Sequence, residues 1–93
     1  MFCNEMDADQ AAFTLERLVP EADHVMTEPV DLRGLQHPIP RTYIRLLRDA
    51  SIIPAAQDKM ITNLGGAEVI DLDAGHMAMI SQPAQLADML NAL

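Results

Sequence analysis

Two side chains in this sequence have the type and setting for proton chemistry. Asp49 follows the apolar run Tyr43-Ile44-Arg45-Leu46-Leu47. His76 follows Val69-Ile70-Asp71-Leu72 across a small-residue bend, Ala74-Gly75. Open α/β sheets place their chemistry at the carboxyl ends of strands, on loops leading into helices. An acid and a histidine on neighbouring strand ends can move a proton for a third group, and the sequence beside them supplies no such group. Plainer roles exist for both: Asp is a common turn former, and a loop histidine can cap a helix or bond a backbone carbonyl. Asp71 and Asp73 alternate onto one strand face and are possible substitutes for Asp49. With His76 they form Asp-x-Asp-x-x-His, but no second histidine or cysteine lies nearby. No metal is expected there, and no cofactor elsewhere.

The elements that must position this pair can be read from spacing. From Arg41 onward the order is strand (Thr42–Leu47), helix (about Ala55–Leu64), strand (Glu68–Leu72), helix (Pro83–Ala92). Strands joined through a helix run parallel, with a right-handed crossover. In the first of these helices the stripe expected to be buried is Ala56, Met60, Ile61 and Leu64, with Gln57, Asp58 and Lys59 toward water. Gly65-Gly66 stops it, as a left-handed residue stops helices. Upstream, Asp7 with Gln10 three residues on reads as a capping box. It predicts a helix from about Ala8 to Leu18, ended by Pro20. From Glu21 to Pro40 no pattern holds, and connections this long tend to be lids or links between domains. The expected division is residues 1–40, a helix plus long connection, and 41–93, a β-α-β-α unit.

Composition narrows the function classes. Fourteen acids against six bases give a net charge of −8, which argues against nucleic acid and anionic membranes as partners. No apolar run approaches the ~20 residues that span a bilayer, and Met1–Glu5 lacks a secretory pattern. One cysteine, Cys3, makes no internal disulfide and is expected to be a half-buried packing residue. A cytoplasmic location is expected. Met60, Met77 and Met79 are expected to fill core rather than line a ligand pocket. His24 and His37 lie in the long connection without distinguishing features. Two parallel strands alone expose apolar edges and leave one face bare, so the unit reads as one end of a larger doubly wound sheet.

Two segments carry a family likeness. Pro40-Arg41-Thr42-Tyr43-Ile44-Arg45-Leu46-Leu47-Arg48-Asp49, with Pro54, Gln57 and Met60, resembles the acid-bearing strand and loop of an α/β-hydrolase. Asp71-Leu72-Asp73-Ala74-Gly75-His76-Met77-Ala78-Met79-Ile80-Ser81-Gln82-Pro83 resembles that family's last strand and histidine loop. The nearest subgroup holds small carboxylesterases, plant methyl-ester hydrolases and hydroxynitrile lyases. Phe2-Cys3-Asn4-Glu5 and the following helix resemble the second half of its cap domain. The likeness covers nearly all of the chain but only the last third or so of a family member.

The resemblance implies a helical cap remnant over residues 1–40, followed by the C-terminal β-α-β-α part of a hydrolase sheet. Asp49 matches the triad acid and His76 the general base that serves a serine. That serine belongs in a Gly-x-Ser-x-Gly elbow ahead of both, and the sequence has none. Its serines are Ser51 and Ser81, each after its triad position. The oxyanion hole is missing too. The implied function is ester hydrolysis of a small substrate only when another portion supplies the serine, with the isolated chain inactive. The alternative is a non-catalytic remnant acting as a small binding or self-associating module through its sheet edges.

Overall fold

A computed structural model describes residues 2–93. Its centre is a two-stranded parallel sheet of β1, Thr42–Leu46, and β2, Glu68–Leu72. Thr42 stands opposite Glu68 and Leu46 opposite Leu72. Residues with β-branched, aromatic and aliphatic side chains favour such a pleated, half-buried surface. Pairing continues past the strand ends: the Leu47 N–H donates to the Leu72 carbonyl and the Arg48 N–H to the Ala74 carbonyl, each at 3.0 Å. These two bonds hold the segment entering Asp49 against the segment entering His76.

The strands are joined through α3, Pro54–Leu64, which starts on a proline in its first turn and ends on Gly65 at φ +69°. Each face of the sheet has a helix. On one, the Arg45 guanidinium bonds Asp58 of α3 at 2.8 Å and its cross-strand neighbour Asp71 at 2.8 Å. On the other, Ile44, Leu46 and the buried Leu72, Ala74 and Ala78 meet Leu86 and Met89 of α5, Pro83–Asn91. The expectation of one bare face is therefore corrected. The sheet is covered on both sides, thinly.

Before the sheet, α1 spans Ala8–Leu15 behind the expected capping box. The Asp7 carboxylate accepts from the Gln10 N–H at 2.8 Å, and the Gln10 side chain accepts from the Asp7 N–H at 3.0 Å. α1 stops three residues earlier than its spacing predicts. Arg17 and Leu18 donate to carbonyls three residues back, a tightened last turn, before the chain extends toward Pro20. The stretch expected to be patternless holds two single turns: α2, His24–Thr27, and a 3₁₀ turn, Arg33–Gln36. Every residue from Leu15 to Pro40 is exposed. Arg41 fastens the end of this stretch, donating to the Leu64 carbonyl at 2.6 Å, to the His37 carbonyl at 3.2 Å, and to that of Leu35. Another short helix, α4 (Ala78–Ser81), precedes α5 and was not expected.

Three burial expectations fail. Gln57, expected toward water, is only 2% exposed, whereas Met60 is exposed. The less exposed positions of α3 are Pro54, Ala56, Gln57, Ile61 and Leu64, so Ala56, Ile61 and Leu64 lie inward as expected. Met79 also faces solvent rather than core. Among the described residues, no helix is long and apolar enough to cross a membrane.

Candidate active site

The sheet brings Asp49 and His76 together. His76 Nδ1 lies 2.9 Å from Asp49 Oδ2. The Asp49 side chain is 3% exposed and that of His76 26%. Asp49 begins a tight turn after β1, and its Oδ1 accepts the N–H groups of Ser51 at 2.8 Å and Ile52 at 2.9 Å. Short acidic side chains bond backbone two and three residues on in this way. The turn thereby fixes the carboxylate and aims Oδ2 at the histidine.

Burial alone raises the Asp49 pKa. The hydrogen bond from His76 and those from Ile52 and Ser51 together outweigh it, and the carboxyl is held below its ordinary value. Asp49 is thus an ionised, acceptor-only group at neutral pH, which places the histidine proton on Nδ1. In the neutral ring Nε2 then keeps a free lone pair, the arrangement of a general base. Among the described residues, no group hydrogen-bonds Nε2. An apolar cavity of about 270 Å³ opens beside the ring, lined by Phe2, Thr14, Leu18, His76 and Met77. The Phe2 ring packs on the imidazole with centroids 5.2 Å apart.

Gly75 is buried, and its backbone has no positive φ. Glycine is needed there for space: a Cβ would lie 2.6 Å from the Asn4 carbonyl oxygen. The Asn4 Nδ2 donates to the Arg48 carbonyl, just before Asp49. Gln10 Nε2 donates to the Ile80 carbonyl at 3.0 Å, fixing α1 to the helix after His76. No periodicity signals these contacts of Phe2, Asn4 and Gln10, because they are long-range and polar or lie in a turn.

Other candidates sit elsewhere. Asp71 pairs with Arg45, which lowers its pKa, and Asp73 pairs with Arg48 through two bonds of 2.6 and 2.9 Å. Neither bonds His76. Among the described residues, no cluster of histidine, cysteine and acidic groups could hold a metal. The Ser51 backbone serves the acid's turn, and the Ser81 hydroxyl donates to the Met77 carbonyl at 3.5 Å. Cys3 is half-buried and free. Met77 lines the cavity, whereas His24 and His37 are exposed. Compared with protein-family models and with curated proteins, the chain matches none.

Proposed function

We propose that this chain supplies the acid–base half of a serine-type carboxylic ester hydrolase with an α/β-hydrolase sheet. The observation that carries the reading is the 2.9 Å contact of His76 Nδ1 with a buried, fully hydrogen-bonded Asp49, which leaves Nε2 free beside an apolar cavity. In the proposed reaction Nε2 takes the proton of a serine hydroxyl as its oxygen attacks the ester carbonyl. The Asp49 carboxylate stabilises the imidazolium, which then returns the proton to the departing alcohol. Water repeats the sequence on the acyl-serine. A separate portion supplies the serine elbow and the oxyanion hole, and pairs with the sheet edge of β1. Lacking a serine costs on the order of a million-fold in turnover, so the isolated chain is expected to be inactive. The same pair would also serve hydroxynitrile cleavage, in which the base works on a cyanohydrin hydroxyl.

A second reading is a non-catalytic, self-associating module. The exposed apolar side chains between Val19 and Ile39 favour it. The test joins the chain behind the elbow-bearing portion of a small α/β-hydrolase esterase and follows hydrolysis of a short-chain p-nitrophenyl ester. Turnover lost on His76→Ala and on substitution of the elbow serine is expected, with none from the chain alone. Turnover indifferent to His76→Ala overturns the catalytic reading and leaves the second.

A further inference from the structure

We propose that Asn4 is a positioning residue that sets the alignment of His76 on Asp49. The inference rests on reading that pair as a proton-transfer site, but it is argued from contacts independent of any serine. Asp49 and His76 sit on two different loops, and backbone pairing between those loops ends with the Arg48–Ala74 bond. Beyond it, Asn4 is what spans them. Its side-chain amide donates to the Arg48 carbonyl, one residue before Asp49. Its backbone oxygen occupies the space that a Cβ on Gly75 would need, one residue before His76. A shift of Asn4 would therefore release both loops at the residue next to the reacting pair.

Two further features show how firmly this segment is held there. The Glu5 carboxylate reaches Arg48 at 2.9 Å, and the same guanidinium grips Asp73 on the histidine side. Glu5 adopts φ +66°, a left-handed conformation that non-glycine residues take only at a cost. Asn4 Oδ1 is buried without a hydrogen-bond partner among the described residues. An apolar side chain would fill the space without that penalty. What asparagine adds is the donor to the Arg48 carbonyl and a backbone that meets a glycine.

The experiment reads the pair itself by nitrogen-15 spectra of histidine-labelled full chain at pH 8, in solution or sedimented. His37 is exposed and serves as an internal reference for an unconstrained ring. In the unaltered chain His76 is expected in the Nδ1–H form. Asn4→Ala, which removes the donor to the Arg48 carbonyl, and Gly75→Ala, whose Cβ would push against the Asn4 carbonyl oxygen, are each expected to lower its Nδ1–H to Nε2–H ratio about five- to tenfold. That is the equilibrium equivalent of one lost hydrogen bond. Asp7→Ala, which breaks the capping box of the same segment, is expected to leave His76 unchanged. Asn4→Asp removes the donor at constant volume and should act like Asn4→Ala.

A folded Asn4→Asp chain with an unaltered His76 tautomer overturns the inference. So does global unfolding of both Asn4 variants, since a positioning residue leaves the fold standing. If the unaltered chain itself shows no tautomer preference, the dyad reading falls as well. Loss confined to the Asn4 and Gly75 variants leaves that reading intact and supports this one.

Discussion

Substituting Asp49 by asparagine keeps the volume of the carboxylate and one of its two acceptor sites. The asparagine oxygen can still receive the Ser51 and Ile52 N–H groups that Asp49 Oδ1 receives. Its amide then faces His76 Nδ1 as a donor, and the ring must move its proton to Nε2. The base would be occupied while the geometry stays almost unchanged. In a completed enzyme, Asp49→Asn is expected to lower kcat roughly ten-thousand-fold, as the wrong tautomer does in triads generally. Nitrogen-15 spectra showing a retained Nδ1–H form would contradict this. The same carboxylate makes stability depend on pH. Its folded pKa lies below the unfolded value, so its contribution is complete above about pH 4 and is lost as pH falls through the folded value. Urea unfolding at matched protein concentration should separate the native chain from Asp49→Asn at pH 6, and the gap should narrow at pH 3.

At the scale of the element, α3 repairs an edge of the sheet as well as covering a face. The Leu46 backbone points away from β2, toward where another strand would pair. Gln57 takes that place: its amide receives the Leu46 N–H and donates to the carbonyls of Leu46 and Ile52, all at 2.8 Å. Gln57→Ala leaves three part-buried backbone groups without this partner and is expected to cost about 2–4 kcal/mol. A midpoint of urea unfolding within error of the native chain would show that water replaces the amide without loss. Sequence periodicity places Gln57 toward water because a polar residue on an amphipathic helix normally belongs there. Only the presence of an unpaired strand edge reverses the preference. Signals that act within a few residues were legible: the Asp7–Gln10 box, the Gly65 stop, the parallel strand order forced by an intervening helix. That the side chains of Asp49 and His76 meet was not legible, because it depends on the turn that aims the carboxylate; that both loops leave adjacent strands at the same end was. The part played by Asn4 was not, since one amide bonding a backbone carbonyl across the fold leaves no spacing to read.

For the molecule as a whole, the question is what the two open edges and the exposed connection do in water. Gln57 covers Leu46 alone. Thr42 and Ile44 also direct their backbone groups away from β2, as Val69 and Asp71 do on the far side, following the alternation that Leu46 and Leu47 set. The fully buried apolar core consists of Leu72, Ala74 and Ala78, small for 93 residues. Val19, Val25, Met26, Val30, Leu32 and Ile39 are all exposed on the connection. A net charge of −8 opposes indiscriminate aggregation, so ordered pairing through an edge is the favoured way to bury this surface. Sedimentation at micromolar concentration is expected to show species larger than the 10.2 kDa monomer. Thr42→Pro tests the route. Thr42 is exposed, begins β1 and turns its N–H outward, so proline there removes no bond to β2 while blocking a new strand. A shift of Thr42→Pro toward monomer, with secondary structure retained, would place association at the β1 edge, where the proposed function puts its missing strands. Association undiminished by the proline would move the contact to the apolar connection and remove the main reason for pairing this edge with a serine-bearing portion.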